Sequence, residues 1–262
     1  MLSLRFDDVD YTQADTRWCI DATMMELKRS EVDLLKREFK IGQLLCSNCC
    51  YTAKYLEILE EESEDGRYKA AIIMEDCGAK SLSSMIPPAG FSITEFLKIS
   101  ISCAKGVQAV HRNNIIHKDI KPSNMLVGDD GFVYQIDFGC ATKLQEQMEQ
   151  ASASLKKTYG TLAYVSPEQT GRINRSIDYR TDFYSMGVTF YQLLTGKLPF
   201  QSRDLMELIH QHIAVEPPPL PSHVPPVLRD IVSKLLNKDA TDRYQSNQGI
   251  IHDLQTCQEN LI

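Results

Sequence analysis

Between Ile115 and Val127 the chain reads IIHKDIKPSNMLV, in which apolar residues flank Asp119, Lys121 and Asn124. Thirteen residues beyond Asn124, Asp137 stands in the tetrapeptide IDFG. Strand-like anchors on either side would hold a carboxylate, an ammonium and an amide in fixed relation. These types suit transfer of a phosphoryl group, where a protein contributes position and electrostatics rather than covalent chemistry. A carboxylate must lie near the attacking hydroxyl, oxygen ligands must hold magnesium, and a cation must face the moving phosphate. Asp119 suits the first task, Asn124 and Asp137 the second, and Lys121 the third. Singly, HKD and DFG are ordinary surface and turn sequences. Their joint order and spacing is what chance rarely produces.

The hydrophobic spacing marks the elements that must position these groups. Leu35, Phe39 and Leu45 recur among Lys and Arg, which predicts an amphipathic helix over Val32–Leu45 with Glu38 beside its buried stripe. Tyr55–Leu59 and Tyr68–Met74 read as strands joined by the turn EEESEDGR. Phe96, Ile99, Cys103, Val107 and Val110 predict a helix over Ile93–Val110. Short strands are expected at Ile115–Ile116, Met125–Val127 and Val133–Ile136, the last two divided by a turn at Gly128–Gly131. Residues 141–160 are polar and read as a mobile loop, whereas Phe183–Leu194 is apolar nearly all round and reads as a buried helix. The proline-rich Pro217–Pro226 must be extended, and helices are expected around Val227–Leu236 and Gly249–Leu261. Strands early and helices late predict an α+β protein, with a small sheet-rich part and a larger helical one.

Composition narrows the classes. With 28 basic and 35 acidic side chains the net charge is −7, which argues against a nucleic-acid binder. No apolar run reaches the length of about 20 residues needed to span a membrane. The start, MLSLRFDDVD, has acids where a secretory signal would be basic and then apolar, so a cytoplasmic location is expected. Cys46, Cys49 and Cys50 cluster, but no second Cys or His pair stands at finger-like spacing, and reduced thiols are the better reading.

On these residues the chain resembles the Ser/Thr protein kinase family: HKDIKPSN is similar to its catalytic loop and DFG to its magnesium loop. GTLAYVSPE, Gly160 to Glu168, resembles the end of its activation segment, with Arg243 in DATDRY as the expected partner of Glu168. Asp182 in YRTDFYSMG matches the residue that opens the central helix and braces the catalytic loop. The resemblance implies a two-lobe fold, with residues 1–76 a partial or degenerate N-lobe and 77–262 the C-lobe. It implies ATP and Mg²⁺ as cofactors, a protein substrate, and Ser/Thr specificity from Lys121 and Thr161. Met74 would be the gatekeeper, Glu75–Cys77 the hinge that meets adenine, and Leu126 the residue beneath the ring. His117 and Phe138 would join an internal apolar stack. SPEQTGRINRSIDYRTDFYSMGVTFYQLLTGKLPF, REFKIGQLL and MEDCGAKSL are further similar to kinase domains that precede ATPase, GAF and histidine-kinase modules in hybrid sensor proteins.

Four features depart from the family pattern. No G-x-G-x-x-G exists, no lysine precedes Lys28, Gly42 stands where the stack expects a bulky residue, and Lys118 replaces the usual Arg. The intact Asp119, Lys121, Asn124 and Asp137 favour an enzyme that starts late over a degenerate lobe. The alternative is a pseudokinase, a regulatory binding module with little catalysis. A small-molecule phosphotransferase is disfavoured by DFG, SPE and Arg243 together.

Overall fold

The computed structural model describes residues 18–21, 27–63, 66–76, 78–129, 131–144 and 162–261, the first segment by its backbone alone. Strands β1 (Trp18–Asp21), β2 (Tyr55–Glu62) and β3 (Tyr68–Glu75) form an antiparallel sheet in the order β1-β3-β2. The sequence did not announce β1, because four residues are too few for a period of two to register. Helix α1 (Arg29–Asn48) packs on this sheet and buries Val32, Ile41, Gly42 and Leu45, with Leu35 and Phe39 partly buried beside them. It extends the predicted span by three residues at each end.

Strand β4 (Lys80–Ser81) and helix α2 (Leu82–Met85) lead to helix α3 (Ile93–Arg112). A reciprocal cap starts α3: Ser92 Oγ accepts from the Glu95 amide at 3.3 Å, and Glu95 Oε2 accepts from the Ser92 amide at 3.2 Å. Strands β5 (Ile115–Ile116), β6 (Met125–Val127) and β7 (Val133–Gln135) fall where the sequence placed them. β6 lies between β4 and β7, and β5 pairs with β8 (Thr142–Lys143). That last strand corrects the start of the predicted polar loop, because Thr142 is held by pairing with Ile116. Residues 145–161 lie outside the described residues.

Helix α4 (Arg180–Thr195) is buried all round, as its apolar sequence requires. It stops at Gly196, whose φ of 70° is left-handed and whose Cβ, were there one, would strike the Pro88 carbonyl. Helix α5 (Leu205–Ala214) was missed, since only Leu208, Ile209 and His212 are buried and the apolar spacing is blurred. A signal was present: Asp204 caps it, accepting from the Met206 amide at 2.6 Å and the Glu207 amide at 3.1 Å. Helices α6 (Pro226–Leu235) and α7 (Asn247–Leu261) complete the helical part. One large apolar cluster joins α3, α4, α6 and α7, and a second joins α1, β2 and β3 to Phe138. The architecture is α+β, a small antiparallel sheet with one helix beside a larger helical body.

Candidate active site

The segment between β5 and β6 gathers the charged groups. Lys121 Nζ lies 2.7 Å from Asp119 Oδ2, and Asn124 Nδ2 donates to both the Asp119 carbonyl and Oδ2 at 3.0 Å. Asn124 closes a 3₁₀ turn, Pro122–Asn124, and its carbonyl accepts from the Ile136 amide at 3.0 Å. The strand that delivers Asp137 is thereby tied to the loop that carries Asn124. Asp119 and Asn124 are both buried and hydrogen-bonded to each other, so their mutual geometry is set before any ligand arrives.

The loop is braced from below by Asp182 in the first turn of α4. Its Oδ1 accepts from the Lys118 amide at 2.7 Å, and its Oδ2 accepts from the His117 amide at 2.9 Å. Lys118 has a left-handed φ of 65°, a strained conformation that the two hydrogen bonds to Asp182 hold in place. His111 Nε2 lies 2.8 Å from Asp182 Oδ2, and Asn247 Nδ2 lies 2.8 Å from His111 Nδ1. An amide donor on Nδ1 assigns the proton to Nε2, which donates to Asp182. Burial works to raise the Asp182 carboxyl, but the His111 hydrogen bond and the surrounding donors outweigh it and hold the group below the usual carboxylate range. Gln169 Nε2 adds a bond to the Lys118 carbonyl at 2.9 Å. His111, Gln169 and Asn247 were not picked out from the sequence. The available signal was His111 in the last turn of α3, eight residues before Asp119.

Asp137 has a left-handed φ of 60°, and its Oδ1 accepts from the Gly139 amide at 3.2 Å. A Cβ at Gly139 would meet Glu38 Oε2 at 3.2 Å and Asp137 Oδ1 at 3.3 Å, so α1 brings Glu38 to the same glycine. β1, which reads WCID, carries no lysine. The Phe138 ring lies 5.0 Å from His117 and 6.0 Å from Tyr55, which is 6.4 Å from Phe39. This stack explains Gly42. A Cβ there would stand 2.5 Å from the Tyr55 ring, so the expected bulk arrives from β2 instead of α1. In an open site Gly42→Ala would gain about 1 kcal/mol of helix propensity. Here it is expected to lose about 1–3 kcal/mol by overpacking, measured by urea denaturation, and to become stabilising when Tyr55→Ala opens the space. Stabilisation by Gly42→Ala alone would reject the packing argument.

At the segment expected to be the hinge, Met74 is buried near the end of β3. Glu75 follows it, half-exposed, with Lys54 Nζ 3.5 Å from its carboxylate. Cys77 lies outside the described residues. Leu126 is half-buried in β6, opposite Ser81 of β4, which follows the expected hinge.

Glu168 and Arg243 form a buried bidentate pair, Nη1 to Oε1 at 2.7 Å and Nη2 to Oε2 at 2.9 Å. The other donors of Arg243 reach the carbonyls of Asn237, Arg180 and Lys238, so all five N–H groups are satisfied. Ser166 bonds Thr181, and Ser185 Oγ donates to the Tyr164 carbonyl at 2.7 Å, which fastens residues 164–166 to α4.

Comparisons with known proteins fit this arrangement. The family model for the protein kinase domain matches residues 21–254. A probable serine/threonine-protein kinase of Clostridium perfringens is 34% identical over 193 residues, covering 72% of this chain and 27% of the relative. A probable serine/threonine-protein kinase of Corynebacterium glutamicum is 30% identical over 213 residues, covering 77% of this chain and 32% of the relative. The hybrid signal transduction histidine kinase G of Dictyostelium discoideum is 32% identical over 236 residues, covering 64% of this chain and 7% of the relative. The matched part of the chain thus spans less than a third of each relative's length.

Proposed function

Because the chain belongs to the protein kinase domain family, we propose that it transfers the γ-phosphoryl group of Mg-ATP to serine or threonine hydroxyls of a protein substrate. The cluster of Asp119, Lys121 and Asn124 within 3.0 Å carries this reading. Asp119 orients the substrate hydroxyl and accepts its proton, and Lys121 offers its ammonium to the transferring phosphate. Asn124 and Asp137 would hold magnesium. Asn124 engages Asp119 through Nδ2, and its amide oxygen, which the Ser123 hydroxyl meets only at 3.5 Å, keeps a lone pair for a cation; oxygen donors suit this hard ion. Magnesium would supply charge neutralisation at the phosphates. Adenine is assigned to the backbone of Glu75–Cys77, above Leu126, and Glu38 to the rear of the phosphate site. In this reading residues 1–76 are the N-lobe and 77–262 the C-lobe.

No helix among the described residues is long and apolar enough to cross a membrane. A cytoplasmic place of action belongs to the same reading, supported by six described cysteines that stand as free thiols. The Dictyostelium match supports a position within a longer sensor chain that includes histidine-kinase modules.

Nucleotide binding is tested by thermal unfolding with ATP, with and without magnesium. At 100 times its dissociation constant the ligand should add about 2.7 kcal/mol of stability. The shift should require magnesium and disappear in Asp137→Asn. A shift that ignores both would reject the assigned ligands.

A further inference from the structure

A cleft of about 580 Å³ opens between the end of α1, the second half of α3 and the first half of α7, lined by residues that the phosphoryl-transfer site does not use. In a chain of net charge −7 its charged lining is Lys105 and Arg112, beside His252, with no Asp or Glu. Neither Lys105 nor Arg112 makes an ion pair among the described residues. They stand seven residues apart on α3, which places them on one face about 10.5 Å apart along the axis. Gln108, Gln248 and Gln255 line the same cleft.

We infer that this cleft docks an extended acidic peptide segment of a protein partner, with two carboxylates three residues apart. The choice follows from what each lining group can recognise. Two unpaired cations call for two separated negative charges. In the polyproline II conformation every third side chain returns to one face, after a rise of about 9.3 Å, close to the spacing of Lys105 and Arg112. Such a backbone has no internal hydrogen bonds, and its N–H and C=O groups need both acceptors and donors. Glutamine amides supply both, whereas a free phosphate could use donors only. The volume lies within the range of about 300–1,000 Å³ of ordinary ligand sites, so a few residues fit.

Fluorescence anisotropy tests the inference, with a short labelled peptide of Ser, Pro and Ala carrying two glutamates three residues apart. Binding to the intact chain should weaken with salt, and about tenfold or more in the double variant Lys105→Glu, Arg112→Glu. The same peptide with glutamine at both positions should bind the wild type as weakly as the acidic peptide binds the double variant. Arg112 is exposed and Lys105 half-buried, neither in the core, so the thermal midpoint should hold; if it falls, the milder pair Lys105→Gln, Arg112→Gln takes its place. Equal affinity for wild type and charge-altered chain overturns the proposal. So does displacement of the peptide by millimolar inorganic phosphate at constant ionic strength, which would mark a small-anion site. A peptide with adjacent glutamates that binds equally well overturns the spacing.

Discussion

Asp119→Ala is expected to lower phosphate transfer about a hundredfold to ten-thousandfold while nucleotide binding changes little. The distinction follows from the geometry. Asp119 faces Lys121 and Asn124, at the place assigned to the hydroxyl and the moving phosphate, whereas adenine and magnesium are assigned to other residues. Loss of the carboxylate should therefore appear in kcat and leave KM for ATP nearly constant. Radiolabelled transfer from ATP to a basic protein and to the chain itself measures the first, and the magnesium-dependent thermal shift checks the second. The wild-type rate itself is expected to be low, because β1 carries no lysine to join Glu38 at the phosphates. Nucleotide binding with transfer at background in both forms would favour a regulatory module over an enzyme. Transfer that Asp119→Ala leaves intact would remove Asp119 from the proposed role.

Arg243→Ala should cost about 3–5 kcal/mol of folding stability. The substitution strands the buried Glu168 carboxylate and also leaves the carbonyls of Asn237, Arg180 and Lys238 without their donor. It empties the space over the Tyr184 ring as well, 5.0 Å from the guanidinium carbon. Chemical denaturation of Arg243→Ala, Glu168→Gln and the double variant gives the coupling directly. The double variant should be less damaged than the sum of its parts, because neither charge is then left alone. Additive losses, or a single loss below about 1 kcal/mol, would mean that the pair is solvated and does not anchor the activation segment to α4 and the connection between α6 and α7.

Much of the molecule could be read from local order. IIHKDIKPSN and IDFG announce their chemistry because short strands hold both in one short stretch of chain, so their order and spacing can be read locally. The long helices were legible for the same reason: each buries one stripe, or in α4 every side, and the stripe repeats within each turn. Even the Glu168–Arg243 pair, 75 residues apart, was visible through its flanking motifs.

What depends on a partner far along the chain was decided by the tertiary structure. Gly42 looked like a gap in the apolar stack when only α1 was considered, yet Tyr55 of β2 fills the space. His111 and Asn247 looked like ordinary helix polar residues, but they meet across 136 positions to support Asp182 beneath the catalytic loop. The cationic cleft is likewise assembled from α1, α3 and α7, and only their packing shows that Lys105 and Arg112 of α3 face a shared space without a carboxylate. Periodicity reports which face of an element is buried and says nothing of which side chain arrives to fill or pair with it. That is settled when the elements pack, because a close-packed interior admits one ring or one donor at each place.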